Sequence, residues 1–396
     1  MITNPGGQLD PAEIIGRDKL IQELWTTLAG RCVYMNDLRR IGKTQIMVKM
    51  HAESPEAWVS VKRDLGGAHS AEEFARQAYD DSSLALPDGK QAMRQMGKLL
   101  GNAAGTEIAG ILKLPNGLVA PWKEVLERTF CDIDQAMQNK GQKTRMVFFW
   151  DEVPFLIDNI NKRQGPQVAM EVLDSIRALT QTYDRVRVLL TGSIGLHHVL
   201  DTLKDSGYSG TPLNRMELVR PGPLSDEHAK QLATKLLQGD GIRVEGGEEK
   251  CAAAVAALVG NVAFYIHKLI NRLDKDTAHS PASIEAALQN ELADPNNDWD
   301  LAHYRTRLDE HYGDRVPVAI AILDAVSIHH SRTFDEIRSD VSAQAQVDVE
   351  QLRKIINLLC KDHYLDVDKN GKHRFYLNVV ARWWRISRSL REQPTS

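Results

Sequence analysis

The chain is poor in the features that mark specialised proteins. Its 396 residues include four cysteines, Cys32, Cys131, Cys251 and Cys360, and no two stand at metal-ligand spacing. That pattern argues against a cysteine-built zinc site and against a disulfide framework. The four read as reduced thiols at core or boundary positions of a cytoplasmic protein. No apolar run reaches the ~18–20 residues needed to cross a bilayer. No signal peptide is evident, so the expectation is an intracellular protein without a membrane partner. Net charge is only −4, so the chain as a whole does not attract polyanions. Any nucleic-acid contact has to come from a local basic patch.

What is present centres on Leu38-Arg39-Arg40-Ile41-Gly42-Lys43-Thr44. The apolar run Cys32 to Met35 before it predicts a strand, and Gln45 to Met50 after it predicts a helix. Strand, Gly-Lys-Thr, helix is the setting of a phosphate-binding loop, because a helix N-terminus offers unpaired N–H groups and positive potential. Lys43 is placed to reach the β- and γ-phosphates of a nucleotide, and the Thr44 hydroxyl to ligate Mg²⁺. The full loop pattern has a glycine five positions before Gly42, where this chain has Asp37. A carboxylate beside phosphate is tolerable there only if it turns away or caps a turn.

The second signal is Met146-Val147-Phe148-Phe149-Trp150-Asp151-Glu152, an apolar run ending in two carboxylates. A central parallel strand is covered on both faces and therefore apolar throughout. Ligands of open α/β sheets bind at the carboxyl ends of the strands. Asp151 is thus expected to serve the same Mg²⁺ as Thr44, and Glu152 to act as the base for an attacking water. Arg187 to Ser193 reads as a further buried strand whose tip, Thr191 and Ser193, faces the phosphates or that water. Arg215 is a candidate phosphate-sensing or trans-acting arginine. Ile15-Gly16-Arg17, ahead of the loop, is a candidate cover for the adenine face. The expected nucleotide-binding set is completed by Arg40, Ile41 and Gln45.

Alternating strands and helices predict an α/β core with a parallel sheet over residues 13–221, preceded by a flexible arm at 1–12. Residues 81–120, rich in Gly, Pro and Asn, read as an insertion. Pro221-Gly222-Pro223 marks a boundary. Residues 222–312 read as a helical subdomain and linker, with Ser225 an N-cap. Within 313–396 three helices precede two strands joined by Asp368-Lys369-Asn370-Gly371-Lys372, whose Asn-Gly is a hairpin signal. That is the order of a winged helix-turn-helix. Arg353, Lys354, Asn357 and Lys361 on its third helix, Lys369, Lys372, His373 and Arg374 on the wing, and the basic run from Arg382 to Arg391 compose an expected phosphate-contacting face.

Taken together, Ile15-Gly16-Arg17, Arg39 to Thr44, Phe149 to Glu152, Leu190 to Ser193, Pro223-Leu224-Ser225 and Phe375 to Trp384 resemble the AAA+-like ATPases of the prokaryotic STAND group. The resemblance is strongest to the archaeal-type ATPase family with a winged-helix tail. It implies a P-loop core of the ASCE type, a helical lid and a winged helix. It also implies Mg-ATP binding with slow or regulated hydrolysis, and a nucleotide switch of the kind found with mobile elements or antiviral defence modules. Double-stranded DNA, a protein partner and a nucleotide-dependent homo-oligomer are the partners it admits. The alternatives are a DNA-binding loader resembling origin-recognition ATPases and an interaction scaffold locked on its nucleotide.

Overall fold

A five-stranded parallel sheet organises the part of the chain that carries the loop. The computed structural model describes residues 1–86, 111–113, 119–192, 195–343 and 346–391. They form two compact units: Arg17–Arg39 with Lys43–Pro221, and Met1–Gly16 with Arg40–Gly42 and Gly222–Ser396. Most of the predicted insertion at 81–120 lies outside the described residues.

In the first unit the strands are β1 (Val33–Met35), β2 (Trp58–Asp64), β3 (Ile111–Lys113), β4 (Val119–Pro121), β5 (Arg145–Asp151), β6 (Val186–Thr191) and β7 (Glu217–Val219). The large sheet has the order β2-β5-β6-β1-β7, and β3 and β4 form a separate antiparallel pair. The helices are α1 (Asp18–Gly30), α2 (Lys43–Ala52), α3 (Ala71–Ala85), α4 (Trp122–Lys140), α5 (Val153–Gln164), α6 (Pro166–Thr182) and α7 (Leu196–Asp205).

Successive strand residues point to opposite faces, so each strand feeds two cores. Val147 and Phe149 of β5, with Val33, Met35 and Leu189, pack on Ile21, Leu24 and Leu28 of α1 and Ile46, Met47 and Met50 of α2. Met146, Phe148 and Trp150, with Tyr34, Val188 and Leu190, pack on α3 to α7. Trp150 meets the Phe74 ring edge-on at 5.0 Å. Burying each such side chain contributes about 1.5–3 kcal/mol, which makes β5 a firmly held strand and a stiff mount for the carboxylates at its end.

Four elements of this unit have no counterpart in the sequence reading: α5, β7, and the strands β3 and β4, which fall in a segment expected to carry only short helices. Helix α5 carries Asp158, Asn159, Asn161 and Lys162, and so looks like a loop. Its Pro154 sits in the first turn, where a missing N–H costs nothing. β7 is three residues long and at an edge, with Leu218 exposed. It is a strand because it pairs with β1.

The second unit contains α8 (Asp226–Gly239), β8 (Arg243–Val244), α9 (Glu248–Leu258), α10 (Ala263–Asn271), β9 (Ala278–His279), α11 (Pro281–Ala293), α12 (Ala302–His311) and α13 (Val316–His329). They are followed by β10 (Ser331–Arg332), α14 (Phe334–Ser342), α15 (Val349–Lys361), β11 (Leu365–Val367), β12 (His373–Phe375) and α16 (Asn378–Ser387). Ser225 caps α8 by accepting from the His228 amide, and Thr333 and Glu336 form a reciprocal capping box on α14. β10, β12 and β11 make an antiparallel sheet, with Gly371 at φ 76° closing the β11–β12 turn.

Two expectations change here. The amino-terminal arm is docked at its start: the Thr3 amide donates to Asp240, and the Asn4 amide donates to His267 Nδ1 at 3.1 Å. At the other end, Arg382 and Arg385 are buried rather than presented to solvent. Arg382 pairs with Glu285 at 3.0 Å, and Arg385 donates to the Ser327 carbonyl at 2.7 Å. Both lie on a helix whose Trp383 and Trp384 are sunk into the unit, so the helix has no free basic face.

Candidate phosphate-binding site

The register of the sheet brings the carboxyl ends of four strands to one level. Met35 pairs with Thr191, Trp150 with Leu190, and Asp64 with Asp151. The chain leaves β1 at that level, runs through residues 36–42 and enters α2 at Lys43. The loop's shape depends on two residues with left-handed backbone, Gly42 at φ 101° and Arg40 at φ 68°. Glycine takes such a conformation without steric cost, whereas arginine does not. The Arg40 side chain is exposed, lies over the Phe264 ring at 4.7 Å and pairs with Asp300 at 3.0 Å.

Lys43 is buried, and its ammonium donates to the carbonyls of Asp37 and Leu38 at 2.7 Å each. The loop is thus folded back over its own lysine. Asp37 is turned to its own backbone. It is 3% exposed, and its Oδ1 accepts from the Leu38 amide at 2.7 Å, so the carboxylate caps a turn.

Thr44, itself exposed on the first turn of α2, donates its hydroxyl to Asp151 Oδ2 at 2.6 Å. Asp151 Oδ1 accepts from the Thr191 hydroxyl and, at 3.1 Å, from the Glu152 amide. A 5%-exposed carboxylate is therefore held by three donors, of which only Thr44 is open to solvent. An accessible hydroxyl beside a buried carboxylate at a helix N-terminus is the hard oxygen chemistry a Mg²⁺ ion takes, and Thr44 and Asp151 are the residues that would hold it.

Glu152 comes next, at φ 57° and ψ 35°, a left-handed conformation at the N-cap of α5. Such a conformation costs of order 1–3 kcal/mol for a residue with a side chain. Nearby, the Tyr34 phenol accepts from the Leu196 amide at 3.2 Å. Its pKa is pushed up to about 12, chiefly by burial, with the negative charge of Glu152 adding to the rise.

The remaining sequence candidates divide. Gly16, at φ 72°, is required by space: a Cβ there would stand 2.6 Å from the His228 Cβ. Ile15 is half-buried. Arg17 is buried, and its guanidinium donates to the Pro221 carbonyl at 3.1 Å. Ile41 is buried and Gln45 half-buried, flanking the Gly-Lys-Thr turn. Ser193 lies outside the described residues. Arg215 is exposed two positions before β7, whose first residue pairs with the first residue of β1. That places it just before the amino end of β7.

Sequence reasoning aimed the Thr191 hydroxyl at phosphate or water rather than at Asp151, and did not single out Gly66 or Asn159. Thr191 carried a signal, as the last polar residue of a buried strand. Asn159 carried none, because α5 was not recognised as a helix.

Comparison with solved structures gives the same architecture. A Walker-type ATPase from Pyrococcus abyssi matches with a TM-score of 0.67 at 15% identity, over 97% of this chain and 100% of its own. The ORC2 protein of Aeropyrum pernix, in its ADPNP–ADP complexes, matches with a TM-score of 0.53 at 11% identity, over 97% and 95%. At these identities the likeness establishes the fold alone. No family model matches the sequence, and no curated relative matches it.

Proposed function

We propose that the protein binds Mg-ATP on the loop at residues 38–44 and hydrolyses it, and that nucleotide state governs what its C-terminal region binds. The observation that carries this reading is the 2.6 Å hydrogen bond from Thr44 to Asp151, which joins the Gly-Lys-Thr turn to the acidic strand end. Fold likeness to ATPases, one of them with ADPNP and ADP, supports adenine nucleotide as the ligand.

In this reading the Lys43 ammonium exchanges the carbonyls of Asp37 and Leu38 for phosphate oxygens. A bound Mg²⁺ would supply charge neutralisation on the triphosphate. Glu152 accepts a proton as water oxygen bonds to the γ-phosphorus and the bond to the β–γ bridging oxygen breaks. The direct test is Glu152→Gln, which keeps ATP binding and lowers phosphate release by roughly 10²–10⁴-fold. Undiminished turnover would overturn the assignment. Arg215 is read as acting on the nucleotide of a neighbouring copy.

One observation supports DNA as the partner. Arg353, Lys354, Asn357 and Lys361 are all exposed on α15, and Lys369, Lys372 and Arg374 on the β11–β12 hairpin. We read these elements, with α13 and α14, as a winged helix-turn-helix that contacts duplex phosphates.

A further inference from the structure

The segment after β2 is tied to β5 and α5 at successive points. The Leu65 amide donates to the Asp151 carbonyl at 2.9 Å, and Asp64 Oδ1 accepts from the Gly66 amide at 2.8 Å. Asn159 then donates its side-chain amide to two carbonyls, of Gly66 and of Ala68, each at 3.2 Å. Further along α5, Gln164 accepts from the Ala71 amide at 2.8 Å and donates to Glu72 at 2.9 Å. The helix that starts at Glu152 thus runs beside residues 66–72 and pins them.

The contact made by this pinning is specific. A Cβ built on Gly66 would lie 3.4 Å from the Cβ of Glu152, 3.8 Å from its Cγ and 3.2 Å from Asp64 Oδ1. The gap between the Gly66 backbone and the first carbons of Glu152 is therefore about one methyl group wide, and that backbone is the wall facing them. Asn159 stands two helical turns beyond Glu152, on the same side of α5, which is why one side chain can hold that wall.

We propose that Asn159 and Gly66 are positioning residues for Glu152: Asn159 fixes the 66–68 backbone, and the missing side chain at Gly66 lets that backbone set where the Glu152 carboxylate stands toward the attacking water. This rests on the reading of Glu152 as the group that activates that water. Neither residue touches nucleotide. Their effect falls on the chemical step, where a displacement of about 1 Å costs up to ~100-fold.

The test is steady-state ATPase and equilibrium ATP binding for Asn159→Asp, Asn159→Gln, Gly66→Ala, Glu152→Gln and the double variant Asn159→Asp/Glu152→Gln. Asn159→Asp turns a donor into an acceptor facing two carbonyls. It should lower kcat by about tenfold to ~100-fold, with KM and ATP affinity unchanged. Asn159→Gln keeps the donor and should recover part of the rate. Gly66→Ala places a methyl against Glu152 and should lower kcat alone. The double variant should be no slower than Glu152→Gln, because the positioned group is already lost. Wild-type kcat in Asn159→Asp, or equal losses of kcat, ATP affinity and melting temperature, overturns the proposal. If Asn159→Asp fails to fold, Gly66→Ala decides in the same way. Full turnover in Glu152→Gln instead removes the premise, which is a separate outcome.

Discussion

The hydroxyl of Thr44 and the carboxylate of Asp151 stand 2.6 Å apart although 107 residues separate them in the chain. Neither residue type is unusual, and Thr-to-Asp hydrogen bonds are common on protein surfaces. What gives this one meaning is its location. Thr44 lies on the first turn of α2, directly after the loop, and Asp151 ends a strand buried on both faces. The loop after β1 carries Thr44 past the end of β6 to Asp151 on β5, and Thr191 at the tip of β6 donates to the other Asp151 oxygen.

Lys43→Ala tests the loop. The ammonium now donates to two carbonyls within hydrogen-bond reach, and in the nucleotide complex it would donate to phosphate. Hydrogen bonds to charged groups contribute about 1.5–3 kcal/mol, so ATP affinity should fall by roughly one to two orders of magnitude. Calorimetric titration with ATP is the check, and wild-type affinity would contradict the site.

Thr191→Val tests the support of Asp151. The valine is close in size but removes a fully buried donor. Leaving a buried acceptor short of its partner costs about 1–3 kcal/mol, visible as a lowered melting temperature. The Mg²⁺ concentration for half-maximal phosphate release should rise, because the carboxylate is less firmly oriented. An unchanged Mg²⁺ requirement would show that Thr191 does not serve the metal-holding group.

His267 gives a pH dependence whose sign is determined. Burial pushes its pKa from an ordinary 6.5 down to about 4, and its Nδ1 accepts from the Asn4 amide. The unfolded chain therefore binds a proton that the folded protein refuses. Stability from this residue is intact above pH 6.5 and is lost progressively as pH falls toward about 4. Melting temperatures between pH 7 and pH 5 should decline, and less steeply in His267→Gln, which keeps an acceptor but does not titrate there. Identical slopes for the two proteins would refute the assignment.

Charge on α15 tests the nucleic-acid reading. Arg353 lies over the Phe334 ring at 4.1 Å and Lys354 is exposed beside it. If the helix meets duplex DNA, Lys354→Glu should weaken binding across sequences. It should also flatten the dependence of log affinity on log salt by about one unit for each phosphate no longer neutralised. Binding of a generic duplex with wild-type strength in that variant would move the DNA contact elsewhere.

Much of this was legible in the residues because the physics behind it is local. A run from Met146 to Trp150 with no polar residue has one comfortable place, the middle of a parallel sheet, and Asp151 must then emerge at its end. Gly-Lys-Thr between a strand and a helix carries its own backbone geometry. Thr333 with Glu336, and Asn370-Gly371, declare a cap and a turn within a few positions. In the same way Ile21, Leu24 and Leu28 recur at helical spacing, and all three are buried.

Tertiary structure alone decided the rest, and each case turns on contact between segments distant in sequence or on how a side chain settles once the backbone is in place. Asp37 looked hostile to phosphate until its carboxylate was seen capping Leu38. Arg382 and Arg385 read as a solvent-facing basic run, yet partners on other helices bury them. The sequence by itself determined which residues are candidates for the chemistry, since side-chain type and short spacing suffice for that. Only the fold decided which of them meet, because a distance of 2.6 Å between Thr44 and Asp151 is a property of strand order and register, and neither is written within any one segment.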